Sequence, residues 1–135
     1  MIKRVFLLVA MAIGVSSLSA QVKFQSGTMR EIYTLAKESN KFVFVDLYAD
    51  WCPPCKAMER DVFSREDIGQ FMGKHFVCAK YNIDNQLGKD LASQYVVRSI
   101  PTFLIFDQGG KLMGRLTGGM SPEDLKSSLL KIIDK

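Results

Sequence analysis

Val45-Asp46-Leu47-Tyr48-Ala49-Asp50-Trp51-Cys52-Pro53-Pro54-Cys55-Lys56 is the stretch that decides how this chain is read. The apolar, β-prone run Phe42-Val43-Phe44-Val45 leads into it, and the charged, helix-prone run Lys56-Ala57-Met58-Glu59-Arg60 leaves it. Two cysteines three positions apart therefore stand where a strand hands over to a helix. A helix N-terminus offers unpaired N–H groups and the positive end of the dipole, and both favour a thiolate there. The spacing lets the second thiol reach the first and close a small ring. Such a pair is a redox couple rather than a staple between distant segments.

Working outward, Thr28-Met29-Arg30-Glu31 reads as a capping box, with Ile32, Leu35 and Ala36 following at helical spacing. The pattern predicts a helix over 28–39, ended by Asn40-Lys41, and then a strand over 42–48 buried on both faces. Pro53 suits the first turn of a helix running to about Phe63. Ser64-Arg65-Glu66-Asp67 predicts a second capping signal and a restarted helix with Ile68, Phe71 and Met72 inward. A strand over 76–82 follows, then a helix from Asn85 to about Gln94 with Leu87 and Leu91 inward. Strands over 102–106 and 111–117 flank the turn Asp107-Gln108-Gly109-Gly110. Ser121-Pro122-Glu123-Asp124 opens the last helix, whose stripe is Leu125, Leu129, Ile132 and Ile133. Strands alternating with helices and closed by a hairpin predict an α/β fold, a mixed sheet covered on both faces.

At 135 residues, 47% apolar and 24% charged, the chain suits one domain with its own core and excludes disordered and collagen-like classes. The net charge of +4 is not clustered, so no nucleic-acid surface is expected. Residues 1–20 stand apart. Lys3 and Arg4 precede an apolar run from Val5 to Val15, and Ser16-Ser17-Leu18-Ser19-Ala20 ends in small residues. This layout predicts a secretory signal peptide over 1–20 and a single domain over 21–135. The run is shorter than the roughly twenty residues a spanning helix needs. Export would put the dithiol outside the cytosol, in a periplasmic or other extracytoplasmic space. There it must be kept reduced by an outside electron source or serve as an oxidant.

Trp51-Cys52-Pro53-Pro54-Cys55-Lys56, with Ile100-Pro101-Thr102 downstream, resembles the thioredoxin superfamily. The longer string Asp46-Leu47-Tyr48-Ala49-Asp50-Trp51-Cys52 resembles the C-terminal periplasmic domain of the disulfide-interchange protein DsbD. The resemblance runs from about Phe24 to the end of the chain and implies the thioredoxin fold. It also implies a thiol–disulfide oxidoreductase working mainly as a reductase. Its partners would be exported proteins that carry disulfides and a membrane electron donor of the DsbD type, with the protein itself a monomer. Thioredoxin itself usually has glycine where Pro53 stands. The strong oxidant DsbA has a histidine between its cysteines, and here no cation sits there.

Cys52, nearest the helix start, is expected to be the more exposed sulfur and the nucleophile, with Cys55 one turn in as the thiol that resolves the mixed disulfide. The alternative is half a zinc site completed by Cys78 and His75. Pro53 and Pro54 remove amides that would support metal-bound thiolates, so neither a metal nor any cofactor beyond the Cys52–Cys55 disulfide is expected. Otherwise Cys78 reads as a small apolar strand residue and His75 as a surface residue. An acid at Asp46 in an apolar strand is costly unless used, and burial would raise its pKa toward that of a proton acceptor. The bland alternative is a strand-end carboxylate open to solvent. The resemblance matches Asp46 to the acid that takes the proton of the second cysteine. It matches Lys80 to a lysine approaching that acid, where periodicity alone gives a solvated strand lysine. It matches Glu59 to an acid that helps hold the nucleophile's pKa high, where the plain reading is a solvated helix glutamate. Asp50 reads as a surface acid. Sequence alone favours a trans bond before Pro101; the resemblance implies cis. It also implies a substrate surface of Trp51, Ile100, Pro101 and Gly118-Gly119, against ordinary packing for Trp51. Two rivals stand beside the reductase: an oxidase or isomerase of secreted proteins, and a binding module whose CxxC is a permanent disulfide.

Overall fold

Capping and strand propensity lay down the elements. The computed structural model describes residues 20–135, so the leader expected at 1–20 lies, but for Ala20, outside the described residues. Strand β1 (Phe24–Gln25) is followed by α1 (Met29–Ser39), β2 (Phe42–Tyr48), α2 (Pro53–Met58) and a π-helical turn (Glu59–Phe63). Then come α3 (Glu66–His75), β3 (Phe76–Asn82), α4 (Gln86–Gln94), β4 (Thr102–Phe106), β5 (Leu112–Thr117) and α5 (Pro122–Ile133). The capping box forms in both directions at Thr28 and Glu31, and Ser121 caps α5 through the Asp124 amide.

The sheet runs β1-β3-β2-β4-β5. β2 pairs parallel with β3, so that Asp46 stands opposite Lys80, and antiparallel with β4, where Asp46 faces Phe103. This is a mixed α/β sheet of the thioredoxin fold. Alternation along β2 splits the core. Phe44 shares one face with Phe63, Met72, Phe103 and Leu125, covered by α2, the π-turn, α3 and α5. Val43, Val45 and Leu47 share the other with Ile32, Ala36 and Leu91 of α1 and α4. Phe44 stacks on Phe103 at 5.3 Å between centroids.

Several local expectations are corrected. The helix after Pro53 does not run unbroken to Phe63: it widens at Glu59 into the π-turn, a rare form that clusters at functional sites. Ser64 does not cap α3; its hydroxyl donates to the Arg60 carbonyl at 2.6 Å, and Arg65 holds the cap position without a side-chain bond. Leu87 points outward, 49% exposed, because Gly88 takes the inward place against the end of β3. His75 is the last residue of α3, half-buried with its ring 4.8 Å from Phe71.

Helices α1 and α4 end alike. Lys41 N–H reaches the Ala36 carbonyl and Asn40 N–H that of Lys37; Val97 and Val96 repeat this to Ala92 and Ser93. Each end is a Schellman motif with a left-handed residue, Asn40 at φ 53° and Val96 at φ 51°. Ahead of β1, a short strap lies across α3. Val22 is buried and its N–H donates to the Phe63 carbonyl at 2.9 Å. Gly69 is open to the strap because a Cβ there would run into the Ala20 carbonyl.

Candidate active site

The end of β2 delivers Ala49-Asp50-Trp51 to the first turn of α2, and Cys52 is its N-cap. Cys52 and Cys55 are joined by a disulfide, with Cα atoms 5.3 Å apart. Pro53 and Pro54 carry no N–H, so the Cys55 amide, 3.3 Å from Cys52 Sγ, is the first α2 donor aimed at that sulfur. Both cysteines are buried, Cys52 at 2% and Cys55 at 5% exposed. Cys52 is therefore not the more exposed of the pair. It is covered by Ala49, the partly buried Tyr48 and Ile83, and Ile100, whose carbonyl oxygen lies 3.9 Å from its sulfur.

The Ile100–Pro101 peptide bond is cis, and Pro101 is buried. The Pro101 carbonyl accepts the Gly118 N–H at 2.8 Å, drawing the loop after β5 to the same rim. Gly118 has φ +91°, a backbone state that suits glycine. Trp51 is 64% exposed, held by its indole N–H donating to Asp84 Oδ2 at 2.9 Å. It is a surface ring on the rim rather than core packing. Asp50 is exposed and accepts from Asn82 Nδ2 at 3.3 Å.

Asp46 lies six residues before Cys52 on the sheet face that α2 and the π-turn cover. Its side chain is buried, with Oδ1 lacking any hydrogen-bond partner. Burial pushes the carboxyl pKa up to about 7; the Lys80 charge opposes the rise and the Glu59 charge adds to it. Lys80 does not point freely into water. Its ammonium pairs with Glu59 Oε1 at 2.7 Å, beside the rings of Tyr48 and Phe24. Glu59 is thus a paired acid above the buried one. Burial works against the Lys80 charge, yet its pKa is raised by the Glu59 carboxylate.

The four residues of the zinc alternative are not brought together. Cys78 sits in the main core and the dithiol in a small separate cluster, and among the described residues no metal-ligand group forms. Cys78 is a free buried thiol whose pKa is pushed far up by burial. Sequence reasoning missed Tyr48, Phe24 and Asp84. Tyr48 was within reach, since strand alternation puts it on the Asp46 face. Phe24 and Asp84 join the site across long sequence separations that no local pattern marks.

Comparison with known proteins follows the same lines. Residues 29–133 match the model of a thioredoxin-like domain. Thioredoxin-like protein 1 of Schizosaccharomyces pombe is 39% identical over 94 residues, which are 70% of this chain and 30% of that protein. Thioredoxin 1 of Chlorobaculum tepidum is 33% identical over 99 residues, 73% of this chain and 92% of the relative. The chain thus spans under a third of the first relative and nearly all of the second. The oxidised C-terminal domain of DsbD from Neisseria meningitidis superposes with a TM-score of 0.63 at 21% identity, over 76% of this chain and 90% of that one, a likeness of fold.

Proposed function

The chain belongs to the thioredoxin-like domain family, and from that premise we propose that it is an exported thiol–disulfide oxidoreductase that reduces protein disulfides. The observation that carries this reading is a Cys52–Cys55 disulfide at the start of α2 together with a buried Asp46, on the sheet face that α2 covers, whose Oδ1 has no hydrogen-bond partner. A static bridge needs no proton acceptor beside it. In the reduced enzyme the Cys52 thiolate attacks a substrate disulfide, forming a mixed disulfide and releasing one substrate thiolate. Asp46 takes the proton of Cys55. The Cys55 thiolate then attacks Cys52 Sγ, closing the Cys52–Cys55 disulfide and releasing the second substrate thiolate. Two electrons have passed to the substrate, and a membrane donor of the DsbD type returns them. Trp51, Ile100, Pro101 and Gly118 form the rim on which an extended substrate segment lies.

Electrostatics support the reducing direction. Strong oxidants rest on a stabilised thiolate, with potentials near about −120 mV. Here the Lys80 cation is engaged by Glu59, an ionised Asp46 adds negative charge on the sheet face that α2 covers, and two of the first α2 positions are prolines without donors. Equilibration with glutathione buffers is expected to give a potential more negative than about −200 mV. Cys52→Ser abolishes insulin reduction, while Cys55→Ser accumulates mixed disulfides visible on non-reducing gels. A potential near about −120 mV would make the protein an oxidase. A bridge that the buffers leave untouched would identify a static disulfide, and full activity in Cys52→Ser would remove the assignment altogether.

A further inference from the structure

Lys80 stands opposite Asp46 in the sheet, and its ion pair with Glu59 is boxed by two aromatic rings, one of them from the N-terminal edge of the sheet. Lys80 Nζ lies 2.7 Å from Glu59 Oε1, 5.0 Å from the centroid of the Tyr48 ring and 5.4 Å from that of Phe24. Phe24 also packs edge-on against Phe63, at 5.4 Å and 81°. Glu59 and Phe63 are the first and last residues of the π-turn. One ring therefore touches both the cation and the far end of the turn that carries its counter-ion. A lysine stem otherwise lets its head swing into water, and ring faces attract the ammonium enough to resist this.

We propose that Phe24 is a positioning residue: it holds the Lys80–Glu59 pair against Asp46 and so sets the pH at which Asp46 can accept the proton of Cys55. The inference rests on the base role proposed for Asp46. The titratable groups on the Asp46 face are Lys80 and Cys78 from β3, Glu59 from the π-turn, the dithiol from α2 and Tyr48 on its own strand; Phe103 on β4 brings none. Of these, Lys80 favours the carboxylate and Glu59 opposes it. Freeing Lys80 removes the favourable charge and leaves Glu59 less neutralised. Both changes raise the proton affinity of Asp46, so less base is available at neutral pH.

The test uses the whole mature domain and follows the Asp46 carboxyl by carbon NMR as pH is varied, beside the rate of mixed-disulfide resolution. Phe24→Leu is expected to raise the Asp46 midpoint by about half a pH unit. Resolution at pH 7 falls about two- to threefold and recovers by about pH 9. Phe24→Tyr keeps the ring and the wild-type midpoint. Lys80→Met raises the midpoint further, and adding Phe24→Leu to it changes nothing more. An unmoved midpoint in Phe24→Leu, or a full additional shift in the Lys80→Met background, overturns the proposal. Should Phe24→Leu fail to fold, the wild type itself decides: the Lys80 ε-methylene protons are ring-shifted upfield if the box exists, and unshifted protons overturn it. A moved midpoint with an unmoved resolution rate upholds the grip of Phe24 on Asp46 and overturns the base role.

Discussion

At Asp46 the fold keeps an acid where stability alone would place an apolar residue. The carboxyl has no partner for Oδ1, and burial carries its pKa from 3.8 to about 7. Between those values the folded chain holds a proton that the unfolded chain has released. Its contribution is therefore fully present below the unfolded value and lost as pH rises through 7. Asp46→Asn removes this titration. Urea melts of the oxidised protein should find the variant more stable at pH 8, by as much as about 4 kcal/mol if the whole shift is recovered. The advantage should vanish by pH 4. Parallel stability curves for the two proteins would show that the carboxyl titrates alike folded and unfolded. Resolution of the mixed disulfide should slow in the same variant, so function and stability pull this one residue in opposite directions.

Among the elements, α4 carries the clearest local conflict. Its Schellman end asks for a residue at positive φ, and Val96 fills it at φ 51° with a side chain 61% exposed. A β-branched residue is strained there, and little burial offsets the strain. Val96→Gly should stabilise the protein by about 0.5–1 kcal/mol after the added freedom of glycine in the unfolded chain is counted. A lowered thermal midpoint would contradict this. The companion motif at Asn40 uses a residue that tolerates the conformation. The same element shows where sequence reading stops. Capping residues Thr28, Glu31 and Ser121, the apolar run of β2 and the Cys52–Cys55 junction were legible because their signals are local. Leu87 was misread because helical spacing alone cannot say that Gly88 must pass close to β3. The two-residue β1 was invisible because pairing with β3, not propensity, makes it a strand. The π-turn was invisible because the charged run at Glu59-Arg60-Asp61 continues the helical pattern and carries no local mark of an extra residue. The site was legible as far as Cys52, Cys55 and Asp46, whose chemistry is written in residue type. The burial of Cys52 under Ile100 was not, since a segment nearly fifty residues away supplies the cover.

Over the whole molecule, the N-terminal strap ties the start of the described chain to α3. Val22 bonds to Phe63 and Ala20 passes over Gly69. Removing a leader after Ala20 would leave Gln21, the Val22 bond and β1 in place, so the box around Lys80 survives processing. Mass spectrometry of the exported protein is expected to find a chain beginning at Gln21, with or without cyclisation of that glutamine. An intact Met1 held in a membrane fraction would overturn the reading of residues 1–20 as a signal peptide. Cysteine placement has the same reach. Three thiols in an unfolded chain can join in three ways, and one of these matches the native site. Folding makes the choice by seating Cys78 in the main core among Phe44, Phe76 and their neighbours, apart from the small cluster that holds Cys52 and Cys55, so the native protein meets oxidising surroundings with two sulfurs in reach of each other. Opening β3 returns the third, and a bridge from Cys78 to either partner would bar the way back. Heat damage in air then becomes a one-way loss, paced by how often the sheet opens rather than by how favourable the closed state is.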